Sequence, residues 1–273
     1  MSTYNGARYL PEQLQSLLQQ DYGDFRILVR DDGSTDETVD ILREYRARDP
    51  DRIFLDESLP GNIGVRRSFL HALARAQDGS CVMFCDQDDV WFANKISRFV
   101  ARLQEAEETY GRSLPLIVFG DMLVGNQDMQ VIDKSFWGYQ SLDVQRASDW
   151  RRIMVSNVVT GCSSLLNPAA ARLLQTAPDL PILHDHLAAI MVSRRGALIP
   201  LPEPTMLYRQ HTGNVEGPRK FRLRYVVSNF SRFTTVMVPR YRAVCRAFDV
   251  PAPVAIYLKL ESSIRRLLLD AIR

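Results

Sequence analysis

The chain reads as an α/β protein: a mostly parallel, doubly wound sheet flanked by helices, followed by a basic helical extension. Three observations predict this. From Phe25 to Leu103, short apolar runs without helical spacing alternate with stretches whose apolar residues fall on one helical face, the pattern of strands joined by right-handed crossovers. The run Cys81-Val82-Met83-Phe84 ends in Asp86, Asp88 and Asp89, which puts carboxylates at the carboxyl end of a buried strand, where open α/β sheets bind ligands. Finally, 273 residues, 46% of them apolar, suffice for one large core and an appendage.

Taken in order, Met1-Ser2-Thr3-Tyr4-Asn5-Gly6 leads directly into a helix with Leu10, Leu14, Leu17 and Leu18 on one face, and no strand is expected before it. Phe25 to Arg30 is a strand, Asp31-Asp32-Gly33-Ser34-Thr35-Asp36 a polar turn, and Val39, Leu42 and Tyr45 mark the helix after it. Ile53-Phe54-Leu55 is a short strand. Pro60-Gly61-Asn62-Ile63-Gly64 is a loop opening a helix with Val65, Phe69, Ala72, Leu73 and Ala76 inward. After the aspartate-tipped strand comes a helix through Ile96, Phe99, Val100 and Leu103, then a strand at Leu116 to Phe119. Ser135 to Ser148 reads as a loop, Asn157 to Ser164 as an extended segment containing Gly161, and Asn167-Pro168 as a capped helix start. A helix begins near Asp185; Pro200 to Tyr208 is extended; the remainder reads as basic amphipathic helices, the last with Val254, Tyr257, Leu258, Ile264, Leu267 and Leu268 as its apolar positions.

Three carboxylates within four positions are costly to bury without a cation. A divalent ion carrying nucleotide phosphates is the first expectation. A calcium EF-hand is excluded, because its loop needs Gly at the sixth position and Glu at the twelfth, where Trp91 and Ser97 stand. Cys81, Cys85, Cys162 and Cys245 form no CxxC pair, which favours a reduced, cytoplasmic chain over a secreted one. No signal pattern and no apolar run of spanning length is present.

Several motifs in one order resemble a single family: Ser2-Thr3-Tyr4-Asn5-Gly6, Asp31 to Asp36, Asn62-Ile63-Gly64, Asp86-Gln87-Asp88-Asp89, Thr160-Gly161, His184-Asp185 and Tyr208-Arg209-Gln210-His211. Together they resemble the inverting glycosyltransferases of family two, which have the GT-A fold, and most of all the rhamnosyltransferase-like branch that builds surface polysaccharides such as O-antigen. The resemblance runs from Met1 to about Val215. It implies a domain over 1–217 and a separate basic tail over 218–273.

The resemblance assigns roles. Thr3 and Asp32 would hold the nucleobase, an ionised Asp accepting the pyrimidine N–H; taken alone, Asp31-Asp32-Gly33-Ser34 reads rather as a turn and a helix cap. Asp86 would lie near the ribose and Asp88 would hold Mg²⁺ or Mn²⁺, with Asp89 supporting them or capping the helix that carries Ile96. Asp185 would be the general base, or a cap of its own helix; Glu-Asp is the family's usual pair, and here His184 precedes Asp185. His211 would be a further metal ligand or a diphosphate contact, beside Arg209 and Gln210. Gly161 would let the backbone approach a sugar, and Arg67, or Arg66, would reach the base or diphosphate.

The expected reaction is metal-dependent, inverting transfer of a sugar, rhamnose from dTDP-rhamnose before a UDP-sugar, to a lipid-linked or glycan acceptor. The alternatives are a catalytically dead nucleotide-sugar-binding module and a Mg²⁺-dependent phosphohydrolase, the latter without a convincing downstream Lys and acidic pair. Family members begin with a strand leading into Ser-Thr-Tyr-Asn. Met1 stands where that strand should end, so the expectation is an upstream start or a weakened enzyme whose Thr3 lacks rigid support. From Pro218 to Arg273 the chain carries +9; the whole carries +2, so the first 217 residues carry −7. With Phe221, Tyr225, Phe230, Phe233 and Tyr241 interleaved among arginines, the tail is expected either to cap the sheet or to meet an anionic membrane surface from the cytoplasmic side. No nucleic-acid-binding motif accompanies the charge.

Overall fold

A computed structural model describes residues 1–214 and 238–272. The chain enters through β1 (Ser2–Thr3), which lies parallel to β2 (Ile27–Asp31), and β2 in turn lies parallel to β3 (Ile53–Leu55). A strand therefore does precede the first helix, although at two residues it shows no alternation to read. Thr3 is fully buried and held by this ladder, so its support comes from β2. Helices α1 (Leu10–Leu18), α2 (Thr38–Arg48) and α3 (Val65–Ala74) follow these strands in turn, α1 carrying Pro11 in its first turn and burying Leu10, Leu14 and Leu17. The aspartate-tipped strand is short, β4 (Val82–Met83), and β5 (Val90–Trp91) follows it before α4 (Lys95–Tyr110).

Beyond α4, parallel and antiparallel pairs mix. In one sheet β6 (Leu116–Gly120) lies between β9 (Ser164–Leu166), antiparallel, and β10 (Ala197–Leu201), parallel, with β4 antiparallel on the far side of β9. In another, β11 (Met206–Arg209) runs antiparallel to β5 and parallel to β7 (Leu123–Gly125), which pairs with β8 (Val131–Asp133). The α/β class stands; the N-terminal sheet is wholly parallel, and the two later sheets mix parallel with antiparallel pairs. Asp89 does not cap α4, because β5 intervenes and Asn94 is the N-cap. The expected loop at Ser135 contains helix α5 (Phe136–Tyr139), and the extended segment at Gly161 contains a single 3₁₀ turn, Gly161–Ser163.

The remaining helices are α6 (Trp150–Val155), α7 (Pro168–Gln175), α8 (His184–Arg195), α9 (Val238–Ala247) and α10 (Ala252–Ile272). Asn167 does two jobs at the start of α7. Its Oδ1 accepts from Ala170 N and from Leu116 N, so one side chain caps a helix and fixes the entry of β6. The main core lies between α3, α6, α7, α8 and β6, around Phe69, Phe84, Phe119 and Leu187. Leu258 and Ala255 of α10 belong to this core, so part of the basic tail packs on the body. The tail aromatics Phe221, Tyr225, Phe230 and Phe233 lie outside the described residues, as do the side chains of Leu267 and Leu268. All four cysteines are free, with Cys81 exposed and Cys85, Cys162 and Cys245 buried. Among the described residues no helix is long and apolar enough to cross a membrane.

Candidate active site

A cleft of about 460 Å³ opens where β1, β2, β4 and β11 end, and Thr3, Asp32, Asp86, Asp88, Gly161 and Asp185 all line it. Six of the residues singled out in the sequence thus share one wall system. The local chain explains why each is there. Asp31 organises the turn after β2: its carboxylate accepts from the Thr3 hydroxyl at 2.9 Å, from the N–H of Gly33 and Ser34, and from the Ser34 hydroxyl. Gly33 has φ +84°, and a Cβ there would stand 3.1 Å from Asn62 N, so only glycine suits this crossing of two loops. Asp32, 3% exposed, accepts from Arg30 Nη1 at 2.6 Å and from the N–H groups of Ile63 and Gly64 at 2.8 and 3.0 Å. Arg30 is wholly buried and also donates to Ser68 Oγ and to the Leu59 and Gly61 carbonyls. Thr3 and Asp32 therefore stand where the sequence placed them, but their side chains mainly build the loop over the cleft.

Asp86, Asp88 and Asp89 divide between two environments. Asp88 Oδ2 lies 2.8 Å from His211 Nε2, which joins two positions far apart in the chain. The Gly213 N–H donates to His211 Nδ1 at 3.1 Å, so in the neutral ring the proton sits on Nε2 and is donated to Asp88. Burial first, and then the Asp88 and Asp185 carboxylates, push Asp86 up to about 7. Asp89 faces inward, fully buried, with Oδ1 accepting from Arg209 N at 3.1 Å and Oδ2 unpartnered.

Asp185 sits in the first turn of α8, whose N-cap is Leu183, so it does not cap the helix. Its Oδ2 accepts from Gly161 N at 3.2 Å and its Oδ1 from His186 N. A Cβ on Gly161 would fall 2.9 Å from His184 Nε2. The glycine is needed for close approach to this histidine of the chain itself. His184 stacks on Phe69 at 4.1 Å and meets Phe84 edge-on at 4.5 Å, with neither ring nitrogen hydrogen-bonded, and burial pulls it down to about 3.

Three sequence assignments are redirected. Arg209 is buried and aimed away from the cleft: Nε donates to Asp88 O at 2.7 Å, Nη1 to Gln127 O, Nη2 pairs with Glu12, and the guanidinium covers Tyr9. It positions the aspartates. Gln210 extends the β11–β7 ladder through its N–H to Gly125 O and does not line the cleft. Arg67 is exposed and lies 3.3 Å from Asp179, which also pairs with Arg66, so both point off the cleft.

Two residues the sequence did not flag complete the site. Gln87 clamps the end of β1, accepting from Tyr4 N at 2.7 Å and donating to Tyr4 O at 3.0 Å. Lys95, fully buried, donates to Cys162 O at 3.0 Å and lies over the Trp91 ring. Burial pulls Lys95 down to about 8, opposed by neighbouring Cys162 and Asp89. An apolar face interrupted by a lysine was its only signal.

The residues present suit a hard divalent ion. Asp88 and Asp86 offer cleft-facing oxygens and His211 an imidazole, the donor types of Mg²⁺ and Mn²⁺ sites. Ligation by His211 Nε2 requires the ring proton to move to Nδ1 and the Gly213 contact to give way. Asp86, Asp89 and Cys162 also bring donor atoms within 4.8 Å of one another. That trio suits a hard ion less well, since burial holds the Cys162 thiol well above its ordinary range and Asp89 is engaged by Arg209.

Residues 1–113 match the profile described as Glycosyl transferase family 2. Over these residues the chain is similar to that family. It is 32% identical over 102 residues to the dTDP-rhamnosyl transferase RfbG of Shigella flexneri, covering 37% of this chain and 35% of RfbG. It is 30% identical over 167 residues to the putative teichuronic acid biosynthesis glycosyltransferase TuaG of Bacillus subtilis, covering 60% and 58% of the two chains. The matched stretch thus spans only about a third to three-fifths of these relatives. Among solved structures, TarS 1-349 of S. aureus in complex with UDP-GlcNAc superposes with TM-score 0.62 at 16% identity, covering 99% of this chain and 89% of that one. The mannosyltransferase PcManGT of Pyrobaculum calidifontis, in complex with GDP-Man and Mn²⁺, gives 0.57 at 16%, covering 99% and 84%. At these identities the likeness is one of fold, and the fold is GT-A.

Proposed function

We propose that this chain is a metal-dependent, inverting glycosyltransferase that moves a sugar from a nucleoside diphosphate to a glycan or lipid-linked acceptor, with dTDP-rhamnose as the favoured donor. The observation that carries this reading is the convergence of Asp86, Asp88 and Asp185 on one cleft, with His211 on Asp88. Asp185 would take the proton of the acceptor hydroxyl as that oxygen attacks the anomeric carbon. Its Oδ2 is aimed by the Gly161 N–H, which fixes the base without removing its charge. The loop held by Arg30 and Asp32 would cover the base, and Gln87 would keep the end of β1 in place beside it. A divalent ion held by Asp88, His211 and Asp86 would supply Lewis-acid stabilisation of charge on the departing nucleoside diphosphate. RfbG, a dTDP-rhamnosyl transferase by its description, supports the choice of donor.

A screen of nucleotide sugars with Mn²⁺, read as donor consumption and thermal stabilisation, tests the proposal. Stabilisation by dTDP-sugars over UDP-sugars is expected; no response to any nucleotide sugar would sink the reading. Asp185→Asn should keep donor-induced stabilisation and the fold while transfer falls by about a hundredfold or more. A binding-only module would show stabilisation in the parent chain with no transfer at all.

A further inference from the structure

Helix α10 (Ala252–Ile272) is amphipathic the wrong way round for a helix packed on a soluble body. Its described charged residues are engaged with the body. Glu261 bridges Arg146 and Arg152 at 2.8 and 2.7 Å, Lys259 donates to Val155 O at 2.9 Å, Arg265 pairs with Asp143 at 3.1 Å, and Arg266 Nε donates to Gln140 O at 3.1 Å. Its outward positions are apolar: Ile256, Tyr257, Leu260 and Ile264 are 61, 66, 59 and 58% exposed, and no described charged residue of the helix falls among its exposed positions. Over these residues the strip runs roughly 12 Å along the helix axis. A solvated helix normally shows the reverse arrangement, and an uncharged strip of this kind marks a contact surface.

We propose that this strip docks on an anionic lipid surface, with the basic excess of the C-terminal segment supplying the electrostatic attraction. Charge decides between a bilayer and a second copy of the chain. The segment from Pro218 to Arg273 carries +9, and on the described part of it Arg242 and Arg246 are exposed without an ion pair among the described residues. A symmetric contact through α10 would set two such segments against each other, whereas a negatively charged bilayer attracts both the charge and the strip. Tyr257, an apolar ring with a polar tip, suits the headgroup level. Gln140 lines the cleft and accepts from Arg266, so the helix that meets the lipid also buttresses a cleft wall. The proposal is independent of the donor and of the transfer reaction.

Co-sedimentation of the full chain with vesicles of neutral phosphatidylcholine, and with vesicles containing phosphatidylglycerol, tests it. The chain should sediment with the anionic vesicles, less with neutral ones, and less in high salt. Leu260→Gln combined with Ile264→Gln should weaken that binding about tenfold or more, as two partly inserted aliphatic side chains are lost, while the melting temperature stays that of the parent. Failure to bind anionic vesicles, or binding unchanged by the double substitution, overturns the proposal. So does a dimer by light scattering that the double substitution dissolves, since the strip would then be an interface between copies. Donor-induced stabilisation, measured on the same protein, reports on the transfer reading separately.

Discussion

Gly161→Ala tests whether the base is aimed by close packing. The new methyl would lie 2.9 Å from His184 Nε2 and 3.5 Å from the Asp185 Cβ. An ordinary contact needs about half an ångström more than the first of these. His184 cannot retreat, because Phe69 stacks on it at 4.1 Å and Phe84 closes its edge at 4.5 Å. Overpacking of this size costs about 1–3 kcal/mol, or roughly 2–12 °C in melting temperature for a domain of this class. The Gly161 N–H must shift as well, and with it the Asp185 carboxylate, so transfer should fall by about a hundredfold, more than the stability loss explains. Scanning fluorimetry and initial-rate assays at saturating donor measure the two effects. Adding His184→Ala should recover part of both, because it removes the atom being struck. If Gly161→Ala melts and turns over like the parent, or if the double variant is additive, the packing argument is wrong.

Other perturbations probe the rest of the site. Arg30→Met leaves the buried Asp32 carboxylate with only backbone donors and should cost about 3–5 kcal/mol in urea unfolding; a loss under about 1 kcal/mol would show that the pair does not hold the loop. His184 is pulled down to about 3 in the fold against an unfolded value near 6.5, so its contribution is complete above pH 6.5 and is lost as pH falls toward 3, at about 1.4 kcal/mol per pH unit. Urea midpoints across that range should fall less steeply for His184→Gln than for the parent chain. His211→Ala should weaken the stabilisation given by Mn²⁺ with nucleotide, and EDTA should erase the difference between the two proteins; identical Mn²⁺ titrations would remove His211 from the ligand set.

Helices and the longer strands were legible because their periods survive in single stretches: Leu10, Leu14 and Leu17 all became buried, and the Asn167-Pro168 start became a true cap. The strands β1, β4 and β5 were hard to read at two residues each, since one alternation cannot be told from a loop. For the same reason a helix cap stood as one of the two roles open to Asp89, and only the supporting one survives. Arg209 was misread for a different cause. Tyr208 lines the cleft, and in a strand the next side chain must point to the opposite face, so the period of two would have sent Arg209 inward. Residue type, a cation beside phosphate-binding motifs, outweighed geometry. Lys95 and Arg30 were missed because a buried cation looks like a surface one until its partners are known, and apart from Asp32 beside Arg30 those hydrogen-bond partners lie far off in the sequence.

Those two cations explain how a chain tolerates so many carboxylates at one end of its sheet. Asp32 is matched by Arg30, and Asp89 has one oxygen on the Arg209 N–H with the Lys95 ammonium nearby, so both take their partners from within the fold. Asp88 has the His211 ring, which can give up its place. For Asp86, burial and the Asp88 and Asp185 carboxylates outweigh the Cys162 thiol and the Met1 ammonium, so it is pushed up to about 7 while facing the cleft. Charge that a fold leaves uncompensated costs stability unless a ligand supplies the missing partner. The division therefore separates scaffold from site more sharply than burial or motif does: Asp32 and Asp89, with Arg30 and Lys95 beside them, build the cleft, and Asp86 and Asp88, which face it, are the ones a cation and its nucleotide would complete.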